Sequence, residues 1–178
     1  MGLYGNAVLS GRERRFQPNQ VIVSKTDLSG KLIYGNNLFY DLSGYDEKEC
    51  IGQPHNIIRH PEMPRAVFDL LWKTLKSGEE IFAYVNNRSK NGDHYWVFAH
   101  VTPSRDQSGQ VIGYHSNRRV PDQAVLENKI KPLYAQLLAA EKSAASPREG
   151  LEKSGAVLQA LLKDTGMAFN QLMFSMGI

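Results

Sequence analysis

The feature that most constrains the fold is a hairpin pattern in the middle of the chain. Residues 81–90 read IFAYVNNRSK, residues 93–106 read DHYWVFAHVTPSRD, and Asn91-Gly92 lies between them. Asn-Gly between two such runs is the strongest short-range signal for an antiparallel hairpin. Alternation in the second run places Tyr95, Val97, Ala99 and Val101 on one face, and Trp96, Phe98 and His100 on the other.

The flanking segments predict the rest of one antiparallel sheet. Residues 21–28 and 31–36 form a second hairpin pattern around a Ser-Gly turn, and residues 110–120 predict a fifth strand. Between the hairpins, residues 36–45 predict a short helix capped by Asn36 or Asn37, and residues from Met63 to Gly78 predict a longer amphipathic helix. This order predicts an α+β fold, with helices against one face of a five-stranded sheet.

Changes in pattern divide the chain into three parts. Residues 1–19 predict an N-terminal arm, 20–120 a single α+β domain, and 121–178 a helical C-terminal extension. Within the extension, Pro132 is expected to kink or split a helix, and residues 143–150 are expected to form a connector. The apolar face of residues 151–178 needs a partner, which can be the sheet, the preceding helix or a second copy of the chain.

Composition excludes several functional classes. The chain has 178 residues and a net charge of +3, and its cationic side chains are scattered, which argues against a nucleic-acid partner. With the single cysteine Cys50 no internal disulfide forms, and we see no secretory signal. No stretch of 18 apolar residues predicts membrane insertion, so we expect a cytoplasmic protein.

No catalytic or metal-binding motif is visible. The sequence lacks a GxSxG nucleophile motif and places no base beside Cys50, so we expect no enzymatic activity and assign no catalytic residues. The five histidines show no zinc-type spacing, and we assign no metal ligands. A single histidine can still hold haem from a cavity wall, which leaves that alternative open.

The stretch GQPHNIIRHPEMP at residues 52–64 concentrates polar groups just before the long helix. Its three prolines favour short turns, which can present side chains to a pocket. Arg59 can bind a phosphate or carboxylate, His60 can donate to a heterocycle, and Glu62 can bind a ribose hydroxyl or pair with Arg59. Asn86, Tyr95 and Trp96 offer an amide and aromatic surfaces from the sheet, which suits a large, flat ligand. Alternatively, the three residues Arg59, His60 and Glu62 only cap the following helix.

These residues and motifs carry a family resemblance. SKTDLSGKLIYGNNLF, LSGY, GQPHNIIRHPEMP, KNGDHYW and GYHSNRR make residues 21–120 resemble a PAS domain. The segment is most similar to the FAD-carrying PAS sensors of bacterial aerotaxis receptors and to related stand-alone soluble PAS proteins.

The resemblance implies a non-covalent FAD and a set of binding residues. Family positions required for FAD fall on Arg59, His60, Glu62 and Asn36, although Glu62 replaces an aspartate and Ile81 replaces a tryptophan. No NCRF-type cysteine is present, so we expect no light-driven cysteinyl adduct. The full set of expected cofactor-binding residues is Asn36, His55, Asn56, Arg59, His60, Glu62, Asn86, Tyr95 and Trp96.

The resemblance also implies a sensory function. We expect a cytoplasmic PAS protein that reports redox or oxygen state, as in aerotaxis or chemotaxis, through hydrogen bonds between flavin and sheet residues such as Asn86. The receptors' membrane anchor and long coiled coil are not visible here, so the expected partner is a second copy, through the flanking helices, or a chemoreceptor or kinase. Two alternatives remain: a cofactor-free PAS dimerisation module, and a haem or small-metabolite sensor.

Overall fold

The computed structural model describes residues 8–177, so the first seven residues of the predicted arm lie outside the described part. Five strands form the core of the fold: β1 Ile22–Thr26, β2 Leu32–Gly35, β3 Ile81–Arg88, β4 His94–Arg105 and β5 Val111–Arg119. The helices are α1 Asn37–Ser43, α2 Glu47–Cys50, α3 Arg65–Lys76, α4 Gln123–Val125, α5 Lys131–Lys142, α6 Pro147–Thr165 and α7 Phe169–Gly177. A 3-10 turn, His55–Ile58, precedes α3.

The five strands form one antiparallel sheet in the order β2-β1-β5-β4-β3. The Asn91-Gly92 turn joins β3 and β4 in a register that pairs Ile81 with Val101 and Asn87 with Tyr95. The first and last strands in sequence, β1 and β5, pair with each other in the middle of the sheet. The predicted α+β architecture is confirmed.

Local signals explain the short helices before the sheet's second hairpin. The Asn36 side chain accepts from the Phe39 amide to start α1, and Gly44 ends it with a positive φ of 72° that a side chain would disfavour. Asp46 and Glu49 form a reciprocal capping box around α2. Together with α3, these helices cover the sheet face that carries Ile22, Val97 and Ala99 in the core.

Helices also cover the opposite face of the sheet, on the side of β3 and β4. The Tyr134 hydroxyl of α5 donates to the Tyr84 carbonyl at 2.6 Å, and its ring lies against Trp96. From α7, the Phe174 ring contacts Phe82 and Phe98. The C-terminal extension therefore packs on this second face, and the sheet is one of the partners expected for residues 151–178.

The C-terminal extension begins with an irregular helical run. After α4, residues Leu126–Ile130 form a π-helical turn, and Pro132 follows in the first turn of α5 without a break in the helical backbone. Pro132 has no amide to donate to the preceding turn, which fits the irregular geometry there. α6 starts at Pro147, so the predicted connector shrinks to residues 143–146. Helix α6 then packs against both α5 and α3. Between residues 8 and 177, no helix is long and apolar enough to cross a membrane.

Candidate functional site

A cavity of 470 Å³ lies between the sheet and the helical layer formed by α3 and the 3-10 turn. This volume falls in the usual range for small-molecule sites. Its polar lining residues are Ser24, Thr26, Ser29, His55, Asn56, Arg59, Arg65, Asp69, Asn87, Ser116 and Arg118, and its principal apolar ones are Ile58, Phe68, Leu71, Trp72, Leu75, Val85, Ala99, Val101, Tyr114 and Leu151.

The walls of the cavity are largely apolar and partly aromatic. Trp72 of α3 and Tyr114 of β5 meet edge to face with ring centroids 5.6 Å apart. Phe68, one turn before Trp72, carries the Arg59 guanidinium 4.3 Å above its ring centroid. These surfaces can bury the two faces of a planar ligand.

A buried arginine forms the polar floor of the cavity. The Arg118 side chain of β5 donates through Nη2 to Ser24 Oγ and, at 2.8 Å, to His55 Nε2, and through Nε to Ser116 Oγ at 3.0 Å. Arginine has only donors, so His55 Nε2 must accept and the ring is the neutral tautomer protonated at Nδ1. The network connects β1, β5 and the 3-10 turn at one end of the cavity.

Burial sets the charge states in this network. Loss of solvent, followed by repulsion from Arg118, lowers the pKa of His55 to about 3. Burial also lowers the pKa of Arg118 to about 10, so its guanidinium stays charged at neutral pH. Among residues 8–177, Arg118 has no carboxylate partner. A buried charge without a counterion is costly, and a ligand with electron-rich acceptors reduces that cost.

Three lining residues have buried polar atoms without a hydrogen-bond partner among residues 8–177. These atoms are Asn87 Nδ2, Arg118 Nη1 and Thr26 Oγ1, on three different strands of the same sheet face. Buried polar atoms are normally paired, so orphaned atoms at a cavity wall indicate a bound molecule or water. Two of the three can only donate, which favours a ligand with acceptor atoms along one edge.

Three of the residues predicted to bind a cofactor line this cavity: His55, Asn56 and Arg59. A backbone bridge between Arg59 and Asn87 holds the end of the 3-10 turn against β3. The Arg59 side chain also donates to the Met63 carbonyl at 3.2 Å, within the same proline-rich stretch. This stretch therefore forms one rim of the cavity.

Four other predicted residues do not line the cavity. Asn36 is occupied as a cap, since its Oδ1 accepts from the Val23 and Phe39 amides. His60 is buried, with Nδ1 accepting from the Glu62 amide, and Glu62 itself is exposed. Tyr95 is fully buried, and burial raises the pKa of its hydroxyl well above the usual range.

The structure corrects the placement of the remaining two, Asn86 and Trp96. They pair across β3 and β4, and neither lines the cavity. The Trp96 ring instead packs near Tyr134 of α5, on the opposite face of the sheet. The physical reason is the alternation of side chains in a strand, which gives the cavity face to Asn87.

Sequence reasoning missed most of the polar floor. Ser24, Thr26, Ser116 and Arg118 lie in the stretches SKTDLSGKLIYGNNLF and GYHSNRR, which carry the resemblance, but none of them was assigned to the site. The pairing of β1 with β5 brings them together. Asn87 was detectable, because the Asn91-Gly92 turn fixes the hairpin register and places Asn87 opposite Tyr95. Trp72 and Tyr114 supply the aromatic surface that was expected from Tyr95 and Trp96. Ile81, which replaces the family tryptophan, is a core residue outside the lining.

The cysteine and the histidines add no further chemistry. Cys50 is buried away from the cavity lining, and burial raises the pKa of its thiol to about 11. It is therefore a poor nucleophile. In the described part of the chain, no group of three or more His, Cys, Asp or Glu side chains is arranged to hold a metal ion.

Comparison with known proteins gives the same class of fold. Residues 32–118 match the PAS fold family. The chain is 44% identical to the aerotaxis receptor of Escherichia coli (strain K12) over 123 residues, which cover 68% of this chain and 24% of the receptor. It is 26% identical to Phototropin-2 of Oryza sativa subsp. japonica over 97 residues, 54% of this chain and 11% of that protein.

A solved light-oxygen-voltage domain, reported in a study of a flavin analogue, superposes with a TM-score of 0.53 at 24% identity, over 65% of this chain and 87% of that one. Residues 32–118 thus match the PAS family model, and the sheet to which they belong has the PAS fold. Within that class the sequence is similar to the domains of sensory proteins, in particular an aerotaxis receptor. The chain spans only about a quarter of that receptor's length (24%).

Proposed function

We propose that the protein is a sensory flavoprotein whose PAS cavity binds FAD without a covalent bond and reports redox or oxygen state. The observation that carries the proposal is the set of orphaned polar atoms on Asn87, Arg118 and Thr26 along one wall of an otherwise apolar cavity. An isoalloxazine ring has the matching chemistry, with an apolar benzenoid edge and a pyrimidine edge rich in acceptors.

Other features of the cavity support a flavin nucleotide. Trp72, Tyr114 and Phe68 provide flat surfaces for a ring system, and Arg59 and Arg65 line the same cavity. Guanidinium groups bind phosphate oxygens well, which suits the nucleotide part of FAD. The similar aerotaxis receptor and the flavin-analogue structure of a light-oxygen-voltage domain point in the same direction.

Hydrogen bonds from the protein would couple the redox state of a bound flavin to the packing of the sheet. A flavin supplies reversible electron transfer when bound, and its acceptor atoms change basicity with redox state. Asn87 and Arg118 would hold those acceptors, and Arg118 is linked through Ser24 and His55 to β1 and the 3-10 turn. Changes in these hydrogen bonds favour one packing of the sheet over another.

The outer face of the sheet provides a route to an output. Asn87 faces the cavity, while the neighbouring Asn86 and Tyr84 lie on the face that contacts α5. A shift of β3 therefore changes the packing of Tyr134 against the sheet. We place the protein in the cytoplasm, with a second copy, a chemoreceptor or a kinase as the partner that receives the signal.

Haem is a less suitable ligand for this cavity. His55 is the histidine among the described lining residues, and its Nε2 is already occupied by Arg118 and Ser24. Coordination of iron would require breaking this buried network.

Equilibrium binding to the ligand-free protein tests the proposal. FAD, FMN, riboflavin and haemin are titrated separately, with flavin fluorescence or haem absorbance as the signal. We expect saturable binding of FAD, weaker binding of riboflavin because it lacks phosphates, and no specific binding of haemin. Failure of every flavin to bind would overturn the proposed function.

A further inference from the structure

Helix α3, which supplies much of the cavity wall, has its N-terminus capped by another part of the chain. Its N-cap position is Pro64, which offers no side-chain hydrogen bond. Instead, Glu141 Oε1 of α5 accepts from the backbone amides of Arg65 at 2.7 Å and Ala66 at 3.3 Å. A carboxylate at this position satisfies amides that a helix cannot pair internally, and it also interacts favourably with the helix dipole.

The same carboxylate connects α3 to α6. Ser154 of α6, which is fully buried, donates to Glu141 Oε1 at 3.0 Å. At the start of α6, the Pro147 carbonyl accepts from the Arg65 guanidinium at 2.7 Å. One oxygen atom thus joins α3, α5 and α6.

This junction lies at the cavity. Leu151 of α6 is one of the lining residues, together with Arg65, Phe68 and Trp72 of α3. The C-terminal hairpin formed by α5 and α6 therefore contributes part of the cavity wall, beyond the matched PAS residues 32–118.

A glycine allows the hairpin to close this tightly. A Cβ atom at Gly150 would lie 2.9 Å from the Glu141 carbonyl oxygen and 3.4 Å from the Glu141 Cα. The first of these distances is too short for real atoms, so any side chain at this position must push α6 away from α5. Gly155, in the same helix, has no neighbour within 4 Å of the equivalent position.

We propose that the α5–α6 hairpin is a closing wall of the ligand cavity, and that Glu141 is the positioning residue that couples docking of α6 to ligand binding. The coupling to ligand binding rests on the proposed function, because that function names FAD as the ligand. The closing of the cavity wall by the α5–α6 hairpin does not depend on the identity of the ligand. A ligand that touches Leu151 or Arg65 gains contacts only when α6 is docked, so binding stabilises the docked hairpin. By linkage, undocking α6 must weaken binding by the same factor.

The matched pair Gly150→Ala and Gly155→Ala tests the coupling. Both add one methyl group to α6, and only the first has a close neighbour. The measurements are the FAD dissociation constant and the hydrogen exchange of the Arg65 and Ala66 amides in ligand-free protein. For Gly150→Ala we expect affinity about fivefold or more weaker and faster exchange at both amides. For Gly155→Ala we expect no change in either.

A second pair of variants tests the same coupling in case Gly150→Ala does not fold. Glu141→Gln keeps an acceptor oxygen but removes the charge at the α3 N-terminus, whereas Glu152→Gln removes a charge that pairs with the exposed Arg148. We expect weaker FAD binding and faster exchange in the first turn of α3 for Glu141→Gln, and neither effect for Glu152→Gln.

The two readouts separate the two proposals. If wild type binds no flavin, the proposed function fails, and the exchange of the α3 amides still tests the closing wall. If exchange at those amides is unchanged in both Gly150→Ala and Glu141→Gln, the hairpin does not position α3. If exchange rises but FAD affinity stays within about twofold of wild type, below the usual range of coupling, the coupling to the cavity is disproved.

Discussion

Asn86 and Asn87 are adjacent in β3 and both buried, yet they lie on opposite faces of the sheet. Asn87 lines the cavity beside the bridge to Arg59, whereas Asn86 pairs with Trp96 on the face that contacts α5. Two neighbouring asparagine side chains therefore lie in different environments, one at the cavity and one against α5.

This pair gives a direct test of which face binds the ligand. Asn87→Ala removes a buried amide whose Nδ2 has no partner in the described part of the chain, so we expect FAD affinity to fall by about tenfold or more, the cost of one hydrogen bond to a buried acceptor. Asn86→Ala is the matched control, and we expect it to leave affinity nearly unchanged. Fluorescence titration measures both. The opposite ranking would place the ligand on the outer face.

The charge state of His55 predicts a pH dependence of folding. Its pKa is about 3 in the folded protein, against 6.5 for an unperturbed histidine, because burial and Arg118 disfavour the charged ring. Below pH 6.5 the unfolded chain therefore takes up a proton that the folded one does not, and stability falls as pH is lowered. Between pH 7.5 and 5.0 this histidine alone should cost about 2 kcal/mol.

His55→Gln isolates that contribution. The variant keeps a polar side chain beside Arg118 but cannot titrate, so its free energy of unfolding should fall less than that of wild type over the same pH interval. Burial also lowers the pKa of His60, and that effect remains in both proteins. Denaturant unfolding at the two pH values gives the comparison. Equal losses in both proteins would show that His55 does not titrate as the structure implies.

Asn36 is expected to act on stability rather than by touching a ligand. Its side chain accepts from two backbone amides and donates to the Val21 carbonyl at 2.8 Å. Asn36→Ala should lower the free energy of unfolding by about 1–2 kcal/mol, as for other lost helix caps. Asn37→Ala, at the exposed neighbouring position, is the control and should change it little. A stable Asn36→Ala variant that has lost FAD binding would instead indicate direct contact with the ligand.

The contact between Tyr134 and Tyr84 predicts how firmly α5 is held to the sheet. Tyr134→Phe leaves the buried Tyr84 carbonyl without this donor, so we expect a loss of about 1 kcal/mol in the free energy of unfolding and faster hydrogen exchange in α5. Tyr34→Phe, at a largely exposed position, is the control. If the two variants behave alike, the hydroxyl does not secure α5.

Much of the fold was predictable because its signals are local. The Asn91-Gly92 turn, the alternation in β4 and the caps at Asn36 and Gly44 each specify structure within a few residues. The sequence order of the strands does not reveal that β1 lies between β2 and β5, since that neighbourhood depends on contacts about ninety residues apart, such as Ser24 with Ser116.

The candidate site was only partly predictable for the same reason. The proline-rich stretch is a local motif, and three cavity-lining residues could be predicted from it: His55, Asn56 and Arg59. Arg118 and Thr26 come together only through the pairing of β1 and β5, and Leu151 reaches the cavity only because α6 folds back over α3. Likewise, nothing in the sequence of residues 121–178 indicates that Glu141 caps the N-terminus of α3.

The most direct test of the central claim is the visible absorbance spectrum of the purified protein, recorded before and after incubation with FAD and removal of excess by gel filtration. If the cavity binds FAD, a flavin band co-elutes with the protein, disappears on chemical reduction and returns in air. A protein that stays colourless after incubation with FAD, although folded by circular dichroism, would contradict it.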